Sequence, residues 1–371
     1  MKRGDVMVIK ADFFKSSLCL FLCISLVFFS VNGGEFIAEN AQGVIDKCIS
    51  VSKTTTTATV NRNSVAKTES YSIIGFGGGG YESETVSITP TDIETLKKQA
   101  EKLYKTYKKS GTIKEKQMGA TSITQKYGNI LLDNKTNQDI SIKTYLNKTP
   151  TYKTVTKEKP YILIYHTHST EGYEMLDLGW YSNSYNSRTK DKSKNMVRVG
   201  DALTKVLEDS GFNVIHDRKI YDTTYTGAYG RSRVSVEKYL EKYPSIMVTL
   251  DVHRDAIHYD GGVKCKPTAK INGKKAAQVM IITGCEGGGV ESFPTWKENL
   301  TFTLDLQNQV EKKYKGLMRP VYFSHRKYNM DLTPCSVLLE FGTDANTLEE
   351  AVYSAELIGK SLGEMLNEQM K

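Results

Sequence analysis

In "YILIYHTHSTEGY", residues 161–173, an apolar run breaks into His166 and His168, three hydroxyls and Glu171. Two later stretches end in the same way. "LDVHRDA" carries Asp251, His253, Arg254 and Asp255, and "LLEFG" sets Glu340 directly after Val337, Leu338 and Leu339. Neutral imidazole together with carboxylate suits zinc, and three protein ligands plus one water is the catalytic form of such a site. A carboxylate that ends a buried strand is costly unless it is paired or used in chemistry. Glu340 is therefore the candidate general base for a zinc-activated water, with His168, Glu171 and His253 as the candidate metal ligands.

The choice among neighbours follows from spacing. His166 and His168 alternate along a strand and point to opposite faces. His168 lies further toward the loop and is the expected ligand; His166 is expected to pack or to support. Glu171 forms HxxE with His168, so one loop presents both groups. Asp191 competes for the carboxylate position, although it precedes a helix start, where an acid is favoured in any case. His216, His258 and His325 read as ordinary surface or loop histidines.

The elements that must position these groups alternate short apolar strands with longer amphipathic helices. Strands are expected at 161–167, 212–216, 245–252, 277–283, 320–323 and 336–341, and helices near 193–209, 229–242, 296–314 and 347–366. This is the pattern of an α/β fold, an open, mostly parallel sheet with helices on both faces. Such sheets place their sites beyond the carboxyl ends of the strands, where the polar clusters fall. Gly211 suits a helix C-terminus, and "TLEE" at 347–350 is a capping box.

Residues 16–31, "SSLCLFLCISLVFFSV", form an apolar stretch behind Lys2, Arg3, Lys10 and Lys15, the charge arrangement of an export signal. It is short for a span of about 20 residues, and a retained anchor is favoured over a cleaved signal. Positive charge on its N-terminal side then puts the rest of the chain outside the membrane. Residues 1–32 are read as signal or anchor, and 33–91, rich in Thr, Ser and Gly, as a flexible linker. Residues 92–159 are read as a basic stalk with an amphipathic helix at 92–109 and short strands, and 160–371 as the zinc-dependent catalytic domain. Between 91 and 160, 15 Lys stand against 7 acidic residues, which equals the +8 excess of the whole chain. Such a stalk suits anionic wall polymers or lipid head groups, or is simply a solvated face. No nucleic-acid motif is present. Cys265, Cys285 and Cys335 have no CxxC spacing and are expected as buried free thiols.

The succession "YILIYHTHSTEGY", "NMVRVGDAL", "GAYGRSR", "YPSIMVTLDVHRDA", "NGKKAAQVMIITG", "WKENL", "YNMDL" and "VLLEFGTDANTLEEA" resembles the stage II sporulation protein P family of endospore-forming bacteria, over about 160–366. The resemblance implies a zinc-dependent N-acetylmuramoyl-L-alanine amidase, which cuts the amide between glycan and stem peptide of peptidoglycan. It also implies an endopeptidase activity on the wall, membrane anchoring, and work alongside sporulation proteins D and M in engulfment. By position the metal histidines fall on His168 and His253 and the catalytic glutamate on Glu340. For the metal carboxylate, related amidases favour a placement nearer Asp191 than Glu171. Two other readings stand beside it. A zinc carboxypeptidase-like peptidase would need Arg254 or Arg231 for a terminal carboxylate. A non-catalytic wall-binding adaptor would have no use for Glu340.

Overall fold

The computed structural model describes residues 92–119, 123–148 and 159–369. The expected anchor and linker, residues 1–91, lie outside the described residues. Among the described residues no helix is long and apolar enough to cross a membrane.

In chain order the elements are α1 (Ile93–Tyr104), β1 (Gly111–Lys116), β2 (Gln125–Tyr127), β3 (Ile130–Asn134), α2 (Ile142–Leu146), β4 (Ile162–Tyr165), β5 (Trp180–Tyr181), α3 (Met196–Asp209), β6 (Val214–His216) and α4 (Ala228–Lys242). They continue with β7 (Val248–Asp255), β8 (His258–Tyr259), β9 (Val263–Ile271), β10 (Lys274–Ala277), β11 (Val279–Gly284), α5 (Trp296–Lys313), β12 (Val321–Ser324), β13 (Cys335–Thr343) and α6 (Leu348–Gln369).

Eight strands form the main sheet in the order β2-β3-β12-β11-β13-β7-β4-β6. Only the β2–β3 and β11–β13 pairings are antiparallel. The even-numbered residues of β4 and β7 and the odd-numbered ones of β13, among them Ile162, Ile164, Leu250, Val252, Val337 and Leu339, face one large core with α3, α5 and α6. On the other face Leu163 and Tyr165 pack with Val236 of α4. The mixed α/β architecture with helices on both faces thus follows from the alternation of buried residues along each strand.

Local chemistry fixes the helix ends. Asn195 Oδ1 accepts from Val197 N at 3.0 Å to start α3, and Gly211 follows its end at φ +89°, in the left-handed region where glycine carries no Cβ penalty. At α6 the capping box is formed in both directions. Glu350 Oε2 accepts from Thr347 N, and Thr347 Oγ1 accepts from Glu350 N.

Two features depart from expectation. Residues 92–148 are not a separate stalk: β1 pairs with β9 and β3 with β12, and Leu96, Ala100 and Tyr104 of α1 are buried in the main core. A second sheet, β10-β9-β1-β5 with β8 on β9, was not expected, although β1 falls where the stalk was expected to hold short strands. Its strands hide their burial from the sequence, because Lys266 of β9 is buried through ion pairs with Asp177 and Glu350 at 2.7 Å each. Cys265, Cys285 and Cys335 are buried free thiols.

Candidate active site

Past β4 the chain turns sharply, and the hydroxyls fasten the turn. Thr167 donates from its N and its Oγ1 to Asp251 of β7, at 2.8 and 2.7 Å. Ser169 Oγ donates to His166 O, and Thr170 donates through N and Oγ1 to Asp222. Glu171 N closes the turn onto His168 O at 3.0 Å. His168 and Glu171 are thereby carried on one rigid loop beside β7.

His253 stands on β7 in register with Glu340 of the adjacent parallel strand β13, so both side chains leave the same face of the sheet. The ring of His253 lies 5.3 Å from that of His168, edge to face. Its Nδ1 is 3.3 Å from Glu171 Oε2, and its Nε2 is 2.8 Å from Asp251 Oδ1 but out of line for a hydrogen bond. Burial alone would depress the pKa of His253. The Asp251 and Glu171 carboxylates outweigh it and hold the imidazole well above its ordinary value. Burial likewise pushes Glu171 up, but contact with His253 and the charge of Arg254 bring it to about 2.

Glu340 behaves oppositely. Its Oε2 is buried without a hydrogen-bond partner, and burial pushes its pKa up to about 8 against the pull of His253, with Asp255 and Glu171 adding to the rise. His168 Nδ1 is also buried without a partner, 3.9 Å from Asp222 Oδ2. Burial, then His253, lowers its pKa.

His168, Glu171, His253 and Glu340, from three different strand ends, are thus gathered in one place. Asp191 is not among them. It is partly exposed, bound to Ser193 and Lys194 in its own turn before α3. His166 points to the opposite face, where its Nδ1 donates to Val252 O at 2.9 Å and its Nε2 meets His216 Nε2 at 2.8 Å. His216 is accordingly not a surface histidine: its side chain is 4% exposed and its Nδ1 is 3.1 Å from Asp201. Gly200 makes room for this pair, since a Cβ there would sit 2.5 Å from His216 Nε2. His258 pairs with Asp344, and His325 packs on Gly287 and Gly288.

In kind, two imidazoles, a carboxylate and buried nitrogen and oxygen atoms without partners fit a zinc centre with a base beside it. As arranged, no three His, Cys, Asp or Glu groups among the described residues converge closely enough to hold an ion. Glu171 instead faces His253, and this pair would have to open for both to become ligands.

Sequence reasoning missed the surrounding shell. Arg188 donates to Glu171 Oε1 and to Asp222 Oδ2, at 3.2 and 3.0 Å. Tyr225 stacks on His168 with centroids 4.4 Å apart, and Tyr229 flanks the histidine pair, 5.6 Å from His168 and 6.4 Å from His253. These residues come from loops and a helix start, without periodicity to mark them. Arg254 and Arg231 are committed elsewhere. The guanidinium of Arg254 donates to Gly172 O and Ser187 O, and that of Arg231 to Tyr221 O, Thr226 O and Thr224 O. Arg254 is buried in these contacts, whereas Arg231 is exposed and has no carboxylate partner among the described residues.

The profile of the family described as Stage II sporulation protein P (SpoIIP) matches residues 79–363, more than half of the chain. The chain belongs to this family. The stage II sporulation protein P of Bacillus subtilis (strain 168) is 30% identical to it over 225 residues, 57% of this chain and 53% of the relative. The chain thus spans about half the length of that curated relative. Among solved structures, the N-acetylmuramoyl-L-alanine amidase AmiC2 of Nostoc punctiforme is similar at 10% identity, covering 58% of this chain and 97% of its own, with a TM-score of 0.34. The CwlD amidase from Clostridioides difficile, solved in complex with the GerS lipoprotein, is similar at 13% identity over 57% of this chain and 98% of its own, also with a TM-score of 0.34.

Proposed function

We propose that this chain is a zinc-dependent peptidoglycan hydrolase that cleaves the N-acetylmuramoyl-L-alanine amide, with a further endopeptidase activity on stem peptides, during engulfment in endospore formation. The observation that carries the reading is the gathering of His168, Glu171, His253 and Glu340 on one face at the ends of β4, β7 and β13. His168, Glu171 and His253 would hold the metal. Zinc, when bound, supplies an activated water and polarises the scissile carbonyl. Glu340, its Oε2 without a partner, takes a proton from the attacking water and delivers it to the leaving nitrogen. Asp251 and Asp222 orient the loop and its histidines, and Tyr225 and Tyr229 pack their rings against His168.

Family membership supports a role in sporulation, and the apolar stretch at 16–31 supports action at the outer face of the membrane; sporulation proteins D and M are its proposed partners there. Digestion of purified sacculi followed by mass spectrometry tests the reading. New N-terminal alanine is expected from amide cleavage, together with new diaminopimelate termini from the endopeptidase. Release of C-terminal residues alone would favour a carboxypeptidase, and no new termini would favour a wall-binding adaptor.

A further inference from the structure

The sheet face that carries His253 and Glu340 loses its helical cover beyond β13. Helix α4 packs over Leu163 and Tyr165, whereas Met280 of β11 and Tyr322 of β12 stay partly exposed. Register places these side chains on the same face in two neighbouring rows: Met280 stands opposite Glu340, and two residues further along β11 Ile282 stands beside Tyr322, which has Asp133 of β3 beside it. A cavity of about 400 Å³ opens over these rows, lined by Met280, Ile282, Tyr322, Arg319, Arg326 and Tyr328. From β11 to β3 its lining crosses two strand spacings, about 10 Å. That is the reach of roughly three extended residues.

The charges in the lining are unevenly committed. Asp255 and Asp133 also line the cavity. Asp255 pairs with Arg319 at 2.9 Å, and Asp133 with Lys135 at 2.9 Å. Arg326 is exposed, donates to Tyr328 Oη at 2.6 Å and lies over the Tyr328 ring at 5.4 Å; among the described residues no carboxylate pairs with it. The turn that presents it is held in an uncommon backbone shape, with Tyr328 at φ +42° and Asn329 at φ +59°. Asn329 Nδ2 fixes the turn by donating to Tyr229 O and Ser232 Oγ. The Tyr328 ring stacks on Tyr229 at 4.8 Å, and Tyr229 in turn faces His253 at 6.4 Å. The cavity and the candidate active site therefore share a wall.

We propose that this cavity is a subsite for the peptide part of the substrate, in which Arg326 receives a carboxylate of a peptide chain leading away from the bond cut beside Glu340. The proposal rests on the hydrolase reading and adds to it the chemical class of what lies next to the scissile bond. A guanidinium fork suits planar, two-point recognition of a carboxylate, and the apolar floor of Met280 and Ile282 suits the backbone and methylene groups between charges.

The test is binding to the full chain, measured by fluorescence anisotropy with labelled synthetic tetrapeptides. One is C-terminally amidated with glutamate at its second position. A second has glutamine there, and a third is the glutamine peptide with a free C-terminus. The glutamate peptide is expected to bind at least 10-fold tighter than its amidated glutamine counterpart. Arg326→Gln should erase that preference and Arg326→Lys should keep part of it; Arg326 is exposed, so neither change burdens the core. If the free C-terminus gains the affinity instead, the subsite stands with a terminal carboxylate as its ligand. Equal binding of all three peptides, or a preference unchanged by Arg326→Gln, overturns it. Sacculus digestion by the wild-type chain reads the hydrolase assignment separately, so a failed subsite with intact digestion removes only the subsite.

Discussion

At the scale of single residues, the chemistry turns on which carboxylate accompanies His168 and His253. Glu171 is buried against His253, whereas Asp191 is turned into a surface cap of its own. Glu171→Ala is therefore expected to lower zinc content in the purified protein. Asp191→Ala should keep zinc and lose at most about 1 kcal/mol of stability, as the loss of a helix-entry turn does. His168→Ala and His253→Ala should each abolish zinc content and hydrolysis while leaving the far-ultraviolet circular dichroism intact, because a catalytic metal adds less to folding than a structural one. Full zinc occupancy in either histidine variant, measured by elemental analysis, would remove that residue from the ligand set.

At the scale of elements, a buried ion pair and a buried hydrogen bond tie the second sheet and α1 to the main body. Lys266 of β9, 1% exposed, bridges Asp177 and Glu350, the residue that caps α6. Lys266→Met would leave the Glu350 carboxylate buried without its cation and should cost about 3–5 kcal/mol in chemical denaturation. Adding Glu350→Gln should recover part of this loss, and a strictly additive double mutant would contradict the coupling. Glu174 accepts from the Tyr104 hydroxyl of α1, and burial pushes its pKa up to about 7 from 4.5, against the opposing effect of that hydrogen bond. A carboxyl raised on folding contributes stability that is complete below pH 4.5 and lost as pH rises through about 7. Glu174→Gln should flatten this part of the profile, a difference of at most about 3 kcal/mol between pH 4.5 and 8. An unchanged slope would show that Glu174 does not set it. The central strands of the main sheet were legible as short, nearly continuous apolar runs, buried on both faces, alternating with helices whose apolar residues recur at a period of about 3.6. The second sheet was not, since β1 buries only Ile113 and β9 buries a lysine where a strand pattern calls for an apolar residue. For the same reason the basic stretch before 160 read as a stalk although its strands complete both sheets.

Across the whole molecule, Glu340 was legible because a carboxylate directly after an apolar run is costly without a use. The loop residues Arg188, Asp222 and Tyr225 were not, because folding alone brings them together. These parts meet in the proposed role of the sheet face between β7 and β13, hydrolysis with Glu340 as its base. Glu340→Gln in the otherwise unchanged full chain keeps the side chain's shape and removes its ability to accept a proton. The direct measurement is the rate at which the variant releases soluble fragments from sacculi, taken with its zinc content. The expected result is wild-type zinc content and a rate lower by roughly 10²-fold to 10⁴-fold, the usual contribution of a general base. A variant with wild-type turnover, or one purified without zinc, would contradict it.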